Sequence, residues 1–160
     1  MTTKGDRYGR FCKMIEELDR GVELIEEYDS LLHDYNGVML FQAESQLIKA
    51  IGDKPGITGK EVADIFHKSP SACSQLVRKL KAKGWVSQTR NEKNSRIYNL
   101  YLTKEGIDIY EKHHDFEETC YLRMYNMLSD VSEEDFEVYI KIQQKLNEAF
   151  AEDVKESMEL

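Results

Sequence analysis

Apolar residues recur at helical spacing through most of the chain, and only one short stretch switches to an alternation of two. From Arg7 to Leu32 the apolar positions Phe11, Ile15, Leu18, Val22, Ile25 and Leu32 follow at intervals of 4, 3, 4, 3 and 7. This near-3.5 period predicts a long helix with a narrow apolar seam, flanked by Glu16, Glu17, Glu23, Glu26 and Glu27, and such a seam needs a partner to cover it. Tyr35-Asn36-Gly37 reads as a turn, because Asn and Gly tolerate positive φ. A second helix is expected from about Gln42 to Ile51, broken by Gly52-Asp53-Lys54-Pro55-Gly56.

Thr58-Gly59-Lys60-Glu61 has the spacing of a capping box, so a short helix bearing Val62, Ala63, Ile65 and Phe66 should follow. Ser69-Pro70 then supplies an N-cap and a first-turn proline for another helix, which stops at Gly84. On that helix Cys73, Leu76, Val77 and Leu80 stand at i, i+3, i+4 and i+7 and define a buried face, while Ser71, Ser74, Gln75, Arg78 and Lys79 face outward. After Gly84 the period becomes two. Trp85 to Arg90 and Ile97 to Thr103 read as strands, and Asn91 to Arg96 as a polar, charged hairpin tip. Thr103 can cap a helix running to about Leu128, with Ile107, Tyr110, Tyr121, Met124 and Leu128 as its expected buried positions. Ser132-Glu133-Glu134-Asp135 begins a last helix, whose apolar side is Phe136, Tyr139, Ile142, Leu146, Phe150 and Val154.

Charge sharpens this picture. The net charge of −8 argues against a polyanion as partner. It conceals a strong asymmetry, however: Thr58 to Lys104 holds ten basic and three acidic residues, a local +7, and the remaining 12 basic and 27 acidic residues carry −15. A basic middle between acidic flanks suggests one electropositive surface for an anionic partner. With 160 residues a single compact domain is expected. No apolar run approaches the roughly 18 to 20 residues of a membrane span, and the N-terminal residues lack signal-peptide character, so no membrane association and a cytoplasmic location are expected. Cys12, Cys73 and Cys120 are too scattered for a disulfide framework or a metal knuckle. The chain shows no Walker loop, no GxGxxG run and no nucleophile-base arrangement, so neither catalysis nor a cofactor is expected.

A helix, a tight connection, a second helix with a polar outer face and then a basic-tipped hairpin make up a winged helix-turn-helix. The major groove of B-DNA admits one helix, and an arginine-tipped wing suits an adjacent narrow minor groove. The fold class expected is mainly α with a small β-wing and long N- and C-terminal helices. Ile57 to Ala63, Ser74 to Val86, Arg90 to Arg96 and Leu102-Thr103-Lys104-Glu105-Gly106, in this order and spacing, resemble MarR-type transcriptional regulators over about residues 8 to 155. That resemblance implies a homodimer in which residues 1–35 and 104–160 form a helical dimerisation region around a DNA-binding lobe of residues 36–103. It also implies a pseudo-palindromic DNA target, usually with repression as the outcome. A small-molecule effector lodged between the dimerisation helices and the DNA-binding lobe is a further expectation. By the same likeness Arg96 matches the arginine that enters the minor groove, and Arg90 the strand arginine near the phosphates. The family commonly has Asp two residues before that wing-tip arginine. Here Asn94 stands in its place, so an ion pair that would steady the wing is lost or replaced by a hydrogen bond.

The candidate DNA-binding residues are therefore Ser69, Ser71, Ser74, Gln75, Arg78, Lys79, Arg90, Lys93, Asn94 and Arg96, with Arg78 and Lys79 assigned to phosphates. An effector pocket is expected near Tyr35, Phe41, Tyr110 and His114. Cys73 shares the buried face of its helix and reads as a core thiol, whereas Cys12, near Arg10 and Lys13, is the candidate redox position. His33, Asp34, His113 and His114 invite a zinc site, but adjacent helical histidines diverge by about 100°, and the four read as exposed or hinge residues. Two alternative functions stay open: a thiol- or metal-responsive sensor on the same scaffold, and a winged-helix module that binds an acidic protein.

Overall fold

A computed structural model describes residues 4–159. Among the described residues the order of elements is α1 (Lys4–Ser30), β1 (Leu32–Tyr35), β2 (Val38–Phe41), α2 (Gln42–Asp53), β3 (Ile57–Thr58), α3 (Gly59–Phe66), α4 (Pro70–Ala82), β4 (Val86–Arg90), β5 (Tyr98–Leu102), α5 (Lys104–Met127) and α6 (Glu133–Met158). Contacts divide the chain into two compact units, one ending at Glu117 and the other starting at Glu118. No helix of the described residues is long and apolar enough to cross a membrane.

The first unit holds the core. Leu47, Ile48 and Ile51 of α2, Val62 and Ala63 of α3, Cys73, Val77 and Leu80 of α4, Val86 and Leu100 of the wing strands and Ile109 of α5 are buried together. Each fully buried aliphatic side chain contributes about 1.5–3 kcal/mol relative to leaving it in water, so these positions hold the three short helices and the sheet as one body. β5 lies between β3 and β4, antiparallel to both, with Ile57 opposite Leu100 and Val86 opposite Leu102. The caps read from sequence form. The Thr58 hydroxyl accepts from the Glu61 amide at 3.3 Å while the Glu61 carboxylate accepts from the Thr58 amide at 2.8 Å, and the Thr103 hydroxyl accepts from the Gly106 amide at 3.1 Å.

The structure departs from the sequence reading in three places. The first helix ends at Ser30, and Leu32 already belongs to a strand. The Tyr35-Asn36-Gly37 turn is the tip of a β1–β2 hairpin, with Asn36 at φ 51° and Gly37 at φ 89°, the mirror-image turn geometry that suits paired strands. Each strand has only four residues, too few for alternation to stand out against the helical pattern on either side. The third departure concerns α5, most of whose expected buried positions are exposed; the apolar rows of α1 and α6, for which the sequence reading set no burial within one chain, are uncovered as well. Ile107, Tyr121, Met124 and Leu128 are exposed, and so are Tyr139, Ile142, Phe150 and Val154 on α6, where no residue is buried. On α1, Phe11, Val22 and Ile25 are likewise exposed, and Ile15 and Leu18 half-buried.

Candidate nucleic-acid interface

The interface is built from α4 outward. Ser69 caps the helix, its hydroxyl accepting from the Ala72 amide at 3.2 Å, and Pro70 occupies the first turn. Because Cys73, Val77 and Leu80 are drawn into the core, the 3.6-residue repeat turns Ser71, Ser74, Gln75 and Arg78 to solvent. Leu76 is half-buried at the edge of the same face. Cys73 is a core thiol, 3% exposed, as its spacing indicates.

The wing is tied to this helix. Lys81 on α4 donates to the Gln88 side chain of β4 at 2.6 Å. At the tip, the Asn91 carbonyl oxygen of the side chain accepts from the amides of Lys93 and Asn94 at 3.0 and 3.1 Å, and its NH2 donates to Asn99 at 2.9 Å. Asn94 continues the chain of turns by accepting from the Arg96 amide at 3.0 Å. The hydrogen bond that Asn94 makes thus reaches the backbone of Arg96 and not its guanidinium. Arg90, Lys93 and Arg96 are all exposed. Ser74 and Arg78 of α4 and Arg96 of the wing line a single groove of about 690 Å³, together with Thr58, Lys60 and Lys81. Arg90 and Lys93 border a separate hollow of about 580 Å³ with Asn91, Asn99 and Tyr101. The helix and the wing tip therefore share one cationic concavity, with a second basic edge along the wing.

Lys79 is placed differently from the rest. Its ammonium lies 3.1 Å from Oε1 of Glu44 and 5.3 Å above the Phe41 ring, and Lys83 approaches the same oxygen at 2.7 Å. Glu44 is 2% exposed. Burial alone would raise its pKa, but hydrogen bonds from Lys83, the Phe41 amide and Lys79 outweigh burial and hold the carboxyl below its ordinary value. Sequence reasoning passed over this residue. The signal was present, since Glu44, Leu47, Ile48 and Ile51 stand at i, i+3, i+4 and i+7, which puts a carboxylate on the buried stripe of α2.

The residues expected at an effector pocket have distinct surroundings. Tyr35 is buried and hydrogen-bonded through its hydroxyl to Gln42 at 2.8 Å and Ser45 at 3.1 Å. Phe41 is exposed under Lys79, Tyr110 donates to Asp53 at 2.7 Å, and His114 is exposed. It is His113, not His114, that packs against Tyr35, with ring centroids 5.2 Å apart. His33 and His113 are buried at 9% and 3% exposure, so their reading as exposed or hinge residues does not hold. His33 sits between Tyr28 and Tyr35, its Nε2 2.9 Å from the Tyr28 carbonyl, and desolvation holds His113 below the ordinary imidazole pKa. Among the described residues no three His, Cys, Asp or Glu side chains group as a metal site. Cys12 is half-buried on α1.

Residues 41–97, from the start of α2 to the wing tip, match the model of the MarR family. Over that winged-helix segment the chain is similar to the MarR family. BilQ of Clostridium symbiosum, named an HTH-type transcriptional regulator, is 34% identical over 64 residues, which cover 40% of this chain and 44% of that protein. The chain thus spans less than half the length of BilQ. SarZ of Staphylococcus epidermidis, also named an HTH-type transcriptional regulator, is 26% identical over 133 residues, 83% of this chain and 77% of SarZ. Among solved structures, that of Streptococcus pneumoniae FabT in complex with DNA superposes with a TM-score of 0.67 at 23% identity, covering 92% of this chain and 99% of FabT. At that identity the likeness establishes the fold, a MarR-type winged helix with long flanking helices.

Proposed function

We propose that this chain is a sequence-specific, double-stranded DNA-binding transcriptional regulator that acts as a homodimer on a pseudo-palindromic operator. The observation that carries the reading is the groove in which Ser74 and Arg78 of α4 face Arg96 of the wing, within a segment of local charge +7. Short hydroxyls and an amide on a helix suit base edges, while Arg78, Arg90 and Lys93 suit phosphates and Arg96 suits a minor groove. That FabT is known in complex with DNA, and that BilQ and SarZ are named transcriptional regulators, supports the same assignment.

Residues 1–35 and 104–160 are assigned to dimerisation and residues 36–103 to the DNA-binding lobe. Exposed apolar side chains along α1 and α6 support this, because a soluble monomer rarely leaves such rows uncovered. The regulator acts as a repressor whose small-molecule effector engages the neighbourhood of Tyr35, Phe41, Tyr110 and His114 and shifts the balance between two spacings of the paired α4 helices; an effector achieves this only by binding one spacing more tightly. Selection of duplexes from a random pool, followed by titration in increasing salt, tests the core of the proposal. Enrichment of an inverted repeat bound with salt-sensitive affinity is expected, and a pool that enriches no motif overturns it.

A further inference from the structure

Glu44 and the two lysines it holds bear on how α4 is aimed. Lys79 and Lys83 are four residues apart, so they project from one side of the last turns of α4. Both ammonium groups reach Oε1 of Glu44, at 3.1 and 2.7 Å, while Oε2 accepts from the Phe41 amide at 3.1 Å at the start of α2. Each cation also sits over an aromatic ring, Lys79 over Phe41 and Lys83 over Trp85 at 4.6 Å, and Trp85 leads directly into β4. One buried carboxylate thus joins the start of α2, the end of α4 and the root of the wing.

Resting on the reading of α4 as the DNA-facing helix, we propose that Glu44, itself buried, is a positioning residue that holds the ammonium groups of Lys79 and Lys83, whose side chains stay 49% and 31% exposed, fixing the rotation of α4 and withholding both charges from DNA phosphate. A single hydrophobic face leaves a helix some freedom to roll about its axis. A roll of about 100° would exchange the outward set Ser71, Ser74, Gln75 and Arg78 for its sequence neighbours. Two ion pairs from one side of the helix to a fixed acceptor oppose that roll. The two clamped lysines then contribute little to counterion release, although they lie in the most basic segment of the chain.

The test is the slope of log affinity against log salt for an operator duplex and for a random duplex, with the full chain and its Lys79→Gln and Glu44→Gln variants. Lys79→Gln leaves Lys83 on Glu44 and so keeps the carboxylate paired. Its slope on random duplex is expected to stay within about 0.3 of the unmodified protein, whereas loss of a phosphate contact would flatten it by about 0.9 per copy. Glu44→Gln is expected to steepen the random-duplex slope by up to about 0.9 for each lysine set free and to lower the operator-to-random ratio at least fivefold by about the same logic of lost aim. A merely structural role for Glu44 would weaken both duplexes without steepening either slope. Flattening by Lys79→Gln, or a Glu44→Gln protein with unchanged slope and ratio, overturns the proposal. If Glu44→Gln does not fold, the Lys79 arm decides alone. An unmodified chain that binds no duplex would refute the regulator and leave the clamp to a second readout: in urea, the midpoint losses of Glu44→Asp and Lys83→Gln should be less than additive when combined, and strict additivity refutes the clamp.

Discussion

The side-chain oxygen of Asn94 accepts a hydrogen bond from the backbone amide of Arg96 at 3.0 Å, so the residue that departs from the usual wing aspartate still fixes the turn that carries the wing arginine. The bond is neutral and exposed, and it orders the backbone of Arg96 rather than its guanidinium. A net intramolecular hydrogen bond of this kind is worth about 0.5–1.5 kcal/mol. Asn94→Ala should therefore cost no more than about 1.5 kcal/mol of folding stability, leaving the chain folded, and weaken operator binding by no more than about tenfold, the equivalent of about 1.4 kcal/mol. Binding titrations beside urea melts would show this, and a loss of fold in Asn94→Ala would contradict it.

Gly106, in the first turn of α5, passes so close to the carbonyl oxygen of Trp85 that a β-carbon there would collide with backbone. Nearby, the Thr103 amide donates to that same carbonyl at 3.0 Å and the Thr103 hydroxyl donates to the Gly84 carbonyl at 2.7 Å, so neither chain can easily retreat. Overpacking of this sort costs about 1–3 kcal/mol. Gly106→Ala should lower the urea midpoint accordingly, and an undiminished midpoint would show that the contact is relaxed in solution.

The Thr58–Glu61 capping box predicts a specific acid response. A hydrogen bond from Lys54 at 2.6 Å, with those from the Thr58 amide and hydroxyl, lowers the Glu61 pKa to about 2. A carboxyl depressed in the folded state stabilises fully above its ordinary value of 4.5 and loses that contribution as pH falls toward 2. Glu61→Gln should be less stable than the unmodified protein at pH 7, and the difference should shrink between pH 4.5 and 2. Thr58→Ala should cost about 1 kcal/mol at neutral pH. Thermal melts across that range provide the check.

His113 predicts a second window. Desolvation lowers its pKa, opposed by Glu117 and Asp53 and assisted by Lys49 and His114. An imidazole depressed by folding leaves stability intact above its ordinary pKa of 6.5, and stability falls as the unfolded chain takes up the proton below it. His113→Phe keeps a ring against Tyr35 without the titration. Between pH 7.5 and 5.5 the unmodified protein should lose more urea stability than this variant, and equal losses would contradict the assignment.

The legible parts of this fold were those in which local chemistry and the hydrophobic period agree. Ser69-Pro70, Thr58 with Glu61, Thr103 and Ser132 each marked a helix start that the structure contains. The β1–β2 hairpin was not legible, because its four-residue strands sit beside two helices whose spacing dominates any window wide enough to measure. At the interface, residue type indicated which side chains face outward, but it could not tell a lysine free to seek phosphate from one already paired with a buried carboxylate. Lys79 and Arg78 are neighbours of similar chemistry, and only the position of Glu44 in three dimensions separates them. His113 and His114 pose the same problem on α5, where one step around the helix divides a buried ring from an exposed one.

Whether α4 and the wing tip meet DNA together is decided by Arg96→Ala on an inverted-repeat duplex selected from a random pool. The predicted result is salt-sensitive binding by the unmodified chain that exceeds its binding to random duplex, and a loss of about 1–3 kcal/mol in Arg96→Ala without loss of fold. Equal affinity for selected and random duplex, or an Arg96→Ala protein that binds as tightly as the original, would contradict it.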